Sequence, residues 1–167
     1  MGRHSLPHEK EKIMFKKIKT VIIEQIKMGV TPEKLSQSIM TGVIIGIIPI
    51  LGTATLLAAL VASKLKLNHV VTQTVNYLMY PAQLIMIPIY IKVVGLIFEV
   101  GETPVRPDLI YAQFSESPSA FLMKYGLIGF YALFVWGALA LVLYFIFYPI
   151  ILKSIVNFKR RRAAWNG

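Results

Sequence analysis

As a pattern of apolar and polar positions, the chain divides into an amphipathic start and three hydrophobic blocks separated by short polar stretches. From Ile13 to Met28 the apolar residues Met14, Phe15, Ile18, Val21, Ile22 and Ile26 recur at three and four, with lysines between them. That period gives a helix one apolar face, and lysines beside it suit a helix lying on a negatively charged leaflet. Gly29 ends it. Thr31-Pro32-Glu33-Lys34 then reads as a helix start, with threonine as cap, proline at the first helical position and glutamate in the first turn.

The first block, Ser36 to Lys64, has no charged side chain from Ile39 to Ala62, and a bilayer core of about 30 Å needs roughly 20 such residues. Its interior is unsuited to one continuous helix. Gly46, Pro49 and Gly52 recur at three-residue spacing, where a proline costs about 3 kcal/mol and each glycine about 1 kcal/mol. Freed carbonyls in hydrocarbon must be buried in protein or line a wet cavity. The stretch Pro49 to Thr53 is therefore either a break between two half-helices or the kink of a single span.

Lys64 to Asn68 is a short polar link. The second block, Val70 to Phe98, places Gln73, Asn76, Tyr80 and Gln83 in a sector of about 80° along roughly 15 Å of a helix. Such a stripe belongs against another helix or a cavity, either binding something or holding the fold by interhelical hydrogen bonds. Glu99 to Lys124 is an acidic-leaning linker in which LIYAQF and AFLMKYG suggest short amphipathic pieces. The third block, Tyr125 to Leu152, is uncharged and aromatic. Tyr125, Tyr131, Trp136, Tyr144 and Tyr148 include interface anchors near its ends, and Pro149 bends its last turn. The expected organisation is a basic arm with the amphipathic helix (1–35), a membrane domain (36–152) and a basic tail (153–167).

Charge fixes the orientation of these blocks. Eighteen Lys and Arg against eight Asp and Glu give a net charge of +10 in a chain that is 56% hydrophobic. The basic residues flank apolar blocks rather than interleave with stacking aromatics, which points to anionic lipid headgroups and away from nucleic acid. Eight of them precede Ser36, Lys64 and Lys66 sit in the link, and five lie in the tail, whereas the Glu99 to Lys124 linker has two against four acids. Positive loops face the cytoplasm. Both termini and the link are then inside, which three full crossings cannot satisfy. The pattern works if Ser36 to Lys64 is a re-entrant hairpin and the other blocks span. The predicted fold is thus an all-α membrane protein: a re-entrant broken-helix hairpin plus two transmembrane helices, preceded by an amphipathic interfacial helix. The first residues lack the apolar core of a signal peptide, so insertion is expected to rely on the internal segments.

A train of motifs adds to this reading. Gly29-Val30-Thr31-Pro32, Gly42, Gly46-Ile47-Ile48-Pro49-Ile50-Leu51-Gly52-Thr53, Lys66-Leu67-Asn68, Gln73 through Leu84 (QTVNYLMYPAQL), Gly95, Gly101-Glu102 and Trp136 together resemble the DUF2062 family of bacterial membrane proteins, over roughly residues 29 to 152. The resemblance implies the bacterial inner membrane. Relatives of this kind stand alone or are fused to glycosyltransferase-like domains, which implies a setting of envelope construction and lipid-linked sugars.

Chemistry narrows the function by what is missing. No Asp or Glu lies between Lys34 and Phe98 or after Lys124, so the paired carboxylates of acid/base catalysis are not there. His4 and His8 are separated by Pro7 with no further ligand near, cysteine is absent, and neither metal nor cofactor is expected. Lys92 is the one charge inside a hydrophobic block. Two non-enzymatic classes remain. One is handling or transport of an anionic, phosphate-bearing lipid, with Gly46, Pro49, Gly52, Thr53 and Thr55 at the turn and Gln73, Asn76, Tyr80 and Gln83 on the stripe as candidate ligand contacts. Half-helix N-termini near mid-membrane are used in this way by transporters. The other class is a membrane scaffold for envelope glycosyltransferases. A homodimer or higher homo-oligomer is expected in either case, since one hairpin and two spans can hardly enclose a cavity.

Overall fold

A computed structural model describes residues 29–98 and 107–165, together with Thr20, Ile23 and Glu24; within 107–165 the side chains are described from 112 to 161. The described residues are helical, without strands: α1 (Pro32–Gly46), α2 (Ala54–Lys64), α3 (His69–Leu78), α4 (Tyr80–Phe98), α5 (Pro107–Glu116) and α6 (Pro118–Trp165). The expected amphipathic helix at 13–28 lies outside the described residues, apart from Thr20, Ile23 and Glu24, which are helical. His4 and His8 also lie outside them.

Local chemistry accounts for the boundaries. The Thr31 side chain caps α1 by accepting from the Lys34 N–H, with Pro32 and Glu33 following as the sequence predicts. The helix stops at Gly46 because Pro49 has no N–H to continue it and restricts Ile48 to extended backbone. Gly52 completes the reversal at φ +83°, a conformation in which a Cβ would be strained. At the far end of α2 the Leu67 N–H bonds Ala62 O at 2.8 Å and the Lys66 N–H bonds Ser63 O at 3.2 Å, a Schellman closure. Its left-handed position, usually glycine, is occupied by Lys66 at φ 51°. Asn68 then caps α3 by accepting from the Val71 N–H.

Two expectations are corrected here. The second block is not one helix, because Met79 separates α3 from α4 and Pro81 follows within two residues. Projecting a single stripe across it therefore misplaces Tyr80, which is 55% exposed. The third block does not stop at Leu152. Helix α6 carries Pro149 in its interior and continues for 48 residues in all, taking in both the AFLMKYG piece and the basic tail, while LIYAQF lies in α5.

Length separates the helices into two groups. At 1.5 Å per residue α1 and α2 are about 22 and 16 Å long, short of the ~30 Å hydrocarbon core, whereas α4 reaches about 28 Å and α6 about 70 Å. Among the described residues, only α4 and α6 are long and apolar enough to cross a membrane. Helices α1 and α2 instead form an antiparallel pair whose base is tied where Lys34 Nζ donates to Leu65 O at 2.8 Å.

Small residues let the pieces approach. Gly42 and Gly46 form a small-xxx-small pair on α1, and α3 lies directly against them: a Cβ at Gly42 would stand 2.6 Å from Thr72 O, and one at Gly46 would stand 2.5 Å from Met79 Cβ. Ala54, Ala58 and Ala62 make the equivalent buried stripe on α2. Because Ser38 meets Asn68, Gly42 meets Thr72 and Gly46 meets Met79, α3 runs alongside α1 in the same direction. Helix α6 runs the opposite way, with Trp136 at Ile44 and Ile155 buried among Leu35, Val71 and Val75. Helix α4 packs on the first half of α6 through Tyr90, Val94, Ile128 and Ala132.

Candidate functional site

The break between α1 and α2 leaves α1's last carbonyls without helical partners, and buried carbonyls need them. The structure supplies one for each of several. Trp136 Nε1 donates to Ile44 O at 2.9 Å, Tyr90 Oη to Ile47 O at 3.0 Å and Gln83 Nε2 to Ile48 O at 2.9 Å. Within the turn, the Ile48 N–H donates to Ile45 O at 3.1 Å and Thr53 Oγ1 to Ile50 O at 3.0 Å. On the other limb Gln73 Nε2 donates to Thr55 O at 3.0 Å. Donors from α3, α4 and α6 thus converge on the hairpin's backbone. The negative end of the α1 dipole is covered by neutral N–H and O–H groups.

The nine residues marked in the sequence do not form one cluster. Gly46, Asn76 and Gln83 are buried in the helix contacts, Pro49 and Gln73 are half-buried, and Gly52, Thr53, Thr55 and Tyr80 are exposed. The turn therefore faces out of the chain rather than into a bundle, and the Thr53 hydroxyl bonds back to Ile50 instead of capping α2. The start of α2 has no side-chain cap. Thr72 Oγ1, Gln73 Oε1 and Asn76 Oδ1 are buried on α3 without a hydrogen-bond partner among the described residues.

Two residues that hold the break were missed as such in the sequence. Tyr90 lies seven residues after Gln83, hence within about 20° of it on a helix, so extending the stripe by two turns would have found it. Trp136 groups in sequence with the interface anchors of its block, yet its indole reaches the hairpin near its tip, at Ile44 O. A groove of about 190 Å³ opens at the hairpin's base, lined by Lys34, Gln37, Thr41, Leu65 and Tyr144. Among the described residues, no group of three His, Cys, Asp or Glu is placed to hold a metal ion.

The chain belongs to the DUF2062 family, described as an uncharacterized protein conserved in bacteria, whose family model matches residues 15–164. That match takes in both the amphipathic start and the basic end of α6. Comparison with curated proteins and with solved structures gives no match.

Proposed function

We propose that this is a multi-pass protein of the bacterial cytoplasmic membrane whose α1–α2 hairpin re-enters from the cytoplasmic face, and that it handles or transports an anionic, phosphate-bearing lipid or lipid-linked envelope precursor. The observation that carries the reading is the position of the chain reversal. Trp136, which holds the hairpin near its tip, lies close to the midpoint of the uncharged run from Tyr125 to Leu152. The base lies with Lys34 beside Leu65, between Lys64 and Lys66, and the same end of the molecule carries Lys153 next to the buried Ile155. Basic residues from three separated parts of the sequence therefore gather at one end, as a cytoplasmic face requires. With α4 and α6 crossing, both termini fall on that side and the 99–124 region on the other.

A non-helical turn at mid-depth is an arrangement that transporters use to meet charged substrates. The uncapped start of α2, with Gly52, Thr53 and Thr55 exposed beside it, supports an anionic guest approaching from the lipid side. The chemistry is binding and movement, without a catalytic step or cofactor. The test is the lipid carried by the purified protein, identified by mass spectrometry and compared with Gly52→Leu at equal folded yield. Phospholipid or polyprenyl phosphate above background in the wild type, reduced in the variant, is the expected result. A second reading is favoured by one observation: the chain's own side chains already occupy the tip carbonyls. On that reading the hairpin is a rigid membrane scaffold, for copies of itself or for an envelope glycosyltransferase. Absence of bound lipid, or full retention by Gly52→Leu, favours it.

A further inference from the structure

The groove at the hairpin's base is separate from the tip, and its lining has a chemistry of its own. Lys34, Gln37 and Thr41 follow one another at three and four along one face of α1, and Tyr144 of α6 stands across from them. Lys34 Nζ is fixed by donating to Leu65 O at 2.8 Å. An ammonium has three donors and no acceptor, so two remain. The Gln37 amide and the Thr41 and Tyr144 hydroxyls add neutral donors along the groove. The Tyr144 ring is itself held by stacking on Tyr148, with centroids 5.1 Å apart. Glu33, the acid of α1's first turn, is not among the lining residues.

Size and surroundings select the ligand. About 190 Å³ is below the range of roughly 300 to 1,000 Å³ typical of pockets that enclose a whole drug-sized molecule. The groove suits one phosphate group and its immediate ester. Beside Tyr144 the surface is apolar: Leu141 and Phe145, which flank it on α6, are 63% and 74% exposed. A fixed cation with neutral donors, opening onto exposed aliphatic and aromatic side chains, matches a headgroup phosphate whose acyl chains lie along the outside of the helices.

We propose that this groove binds the phosphate of an anionic lipid in the leaflet that holds the hairpin's base, with Lys34 as the charge partner and Gln37, Thr41 and Tyr144 as orienting donors. The proposal rests on the lipid-handling reading and gives it a headgroup site away from the tip. Free phosphate shares the same chemistry, and the experiment separates the two.

The full chain is placed in discs of phosphatidylcholine alone or mixed with phosphatidylglycerol, and lipid retained after extraction is counted by native mass spectrometry. Wild type retains phosphatidylglycerol in preference to phosphatidylcholine. Lys34→Gln, whose amide can still donate to Leu65 O, lowers that preference about tenfold, the loss of one charge-assisted bond. Lys34→Arg preserves it. Tyr144→Phe, which keeps the stacked ring, lowers it severalfold, and Lys64→Gln, at the same end but outside the groove, changes it less than about twofold. Equal retention by Lys34→Gln and Lys64→Gln overturns the site. If inorganic phosphate binds the protein in phosphatidylcholine discs and phosphatidylglycerol is not preferred, the lipid assignment is overturned in favour of a soluble phosphate. If lipid is lost in Gly52→Leu but kept in Lys34→Gln, the groove is refuted while the lipid-handling reading stands. If the wild type holds no anionic lipid, both fall.

Discussion

Replacing Gln83 by leucine tests whether α4 holds the hairpin through its backbone. Gln83 is 3% exposed and its Nε2 bonds Ile48 O at 2.9 Å, with Pro49 next in the chain. Leucine nearly matches glutamine in volume, so the main loss is the donor. A hydrogen bond contributes a net of about 0.5 to 1.5 kcal/mol, but a buried carbonyl left without a partner costs about 1 to 3 kcal/mol. The upper half of that range applies here because no intrahelical donor can take over at the break. For a chain of this length about 1 kcal/mol moves the midpoint roughly 2 to 4 °C, so Gln83→Leu should lower thermal stability in detergent by about 4 to 12 °C. Tyr90→Phe deletes the donor to the neighbouring Ile47 O and should show a similar but smaller loss. The pair should be non-additive by about 0.5 kcal/mol or more, because the two carbonyls share one turn. Tyr80→Phe, at an exposed member of the same sequence stripe, should fall within about 0.5 kcal/mol of wild type. The midpoints are read by the temperature dependence of monodispersity. Gln83→Leu as mild as Tyr80→Phe would refute the account of how the break is satisfied.

Gly42→Ala should destabilise by about 1 to 3 kcal/mol, because the new Cβ meets the Thr72 carbonyl and Val75. Gly95→Ala, a helical position with open space around it, should be neutral or stabilising by up to about 1 kcal/mol; thermal midpoints of the two decide it, and the opposite order would refute the close packing of α1 on α3. Lys66→Gly should stabilise by about 0.5 to 1 kcal/mol, the strain of a side chain at left-handed φ less the extra backbone entropy glycine loses. A lower midpoint would show that the lysine side chain itself holds the turn. In this cysteine-free chain a single cysteine at position 66 should resist an impermeant thiol reagent in intact cells and react after permeabilisation. Labelling from outside would exclude the re-entrant hairpin.

The sequence carried the helical ends and the break clearly, because each depends on residues near in the chain. Thr31-Pro32-Glu33 states a helix start, and Asn68 caps α3 through its own third neighbour. Pro49 and Gly52 announce the reversal for reasons of φ and a missing N–H. The division at Met79 was less legible. Tyr80 and Gln83 on α4 continue the face of Gln73 and Asn76 on α3 only if the helix is unbroken at Met79, and Pro81 was the signal that it is not. The packing partners were hidden for a different reason. Gly42 and Gly46 could have faced any helix, and only the fold puts α3 across from them. Trp136, midway along its uncharged block, calls for a buried acceptor, but only the fold shows that this is Ile44 O.

What joins these elements is the treatment of backbone groups that a helix break sets free. Ile47 and Ile48 are buried in the chain's own packing, so solvent cannot close the break and their carbonyls need partners from elsewhere in the chain. Here three donors separated by up to 53 residues, Gln83, Tyr90 and Trp136, reach the same few carbonyls. Burial in the fold already requires these partners, and on the proposed re-entrant reading the hydrocarbon around the turn holds no water to replace them. The two limbs then differ. The acceptor end of α1 is covered by the protein, whereas the donor end of α2 has no side-chain cap and lies beside exposed residues. An anion could complete the second limb but not the first. On the proposed lipid-handling reading the phosphate meets the second limb, and Gly52→Leu acts on the limb where the two readings diverge.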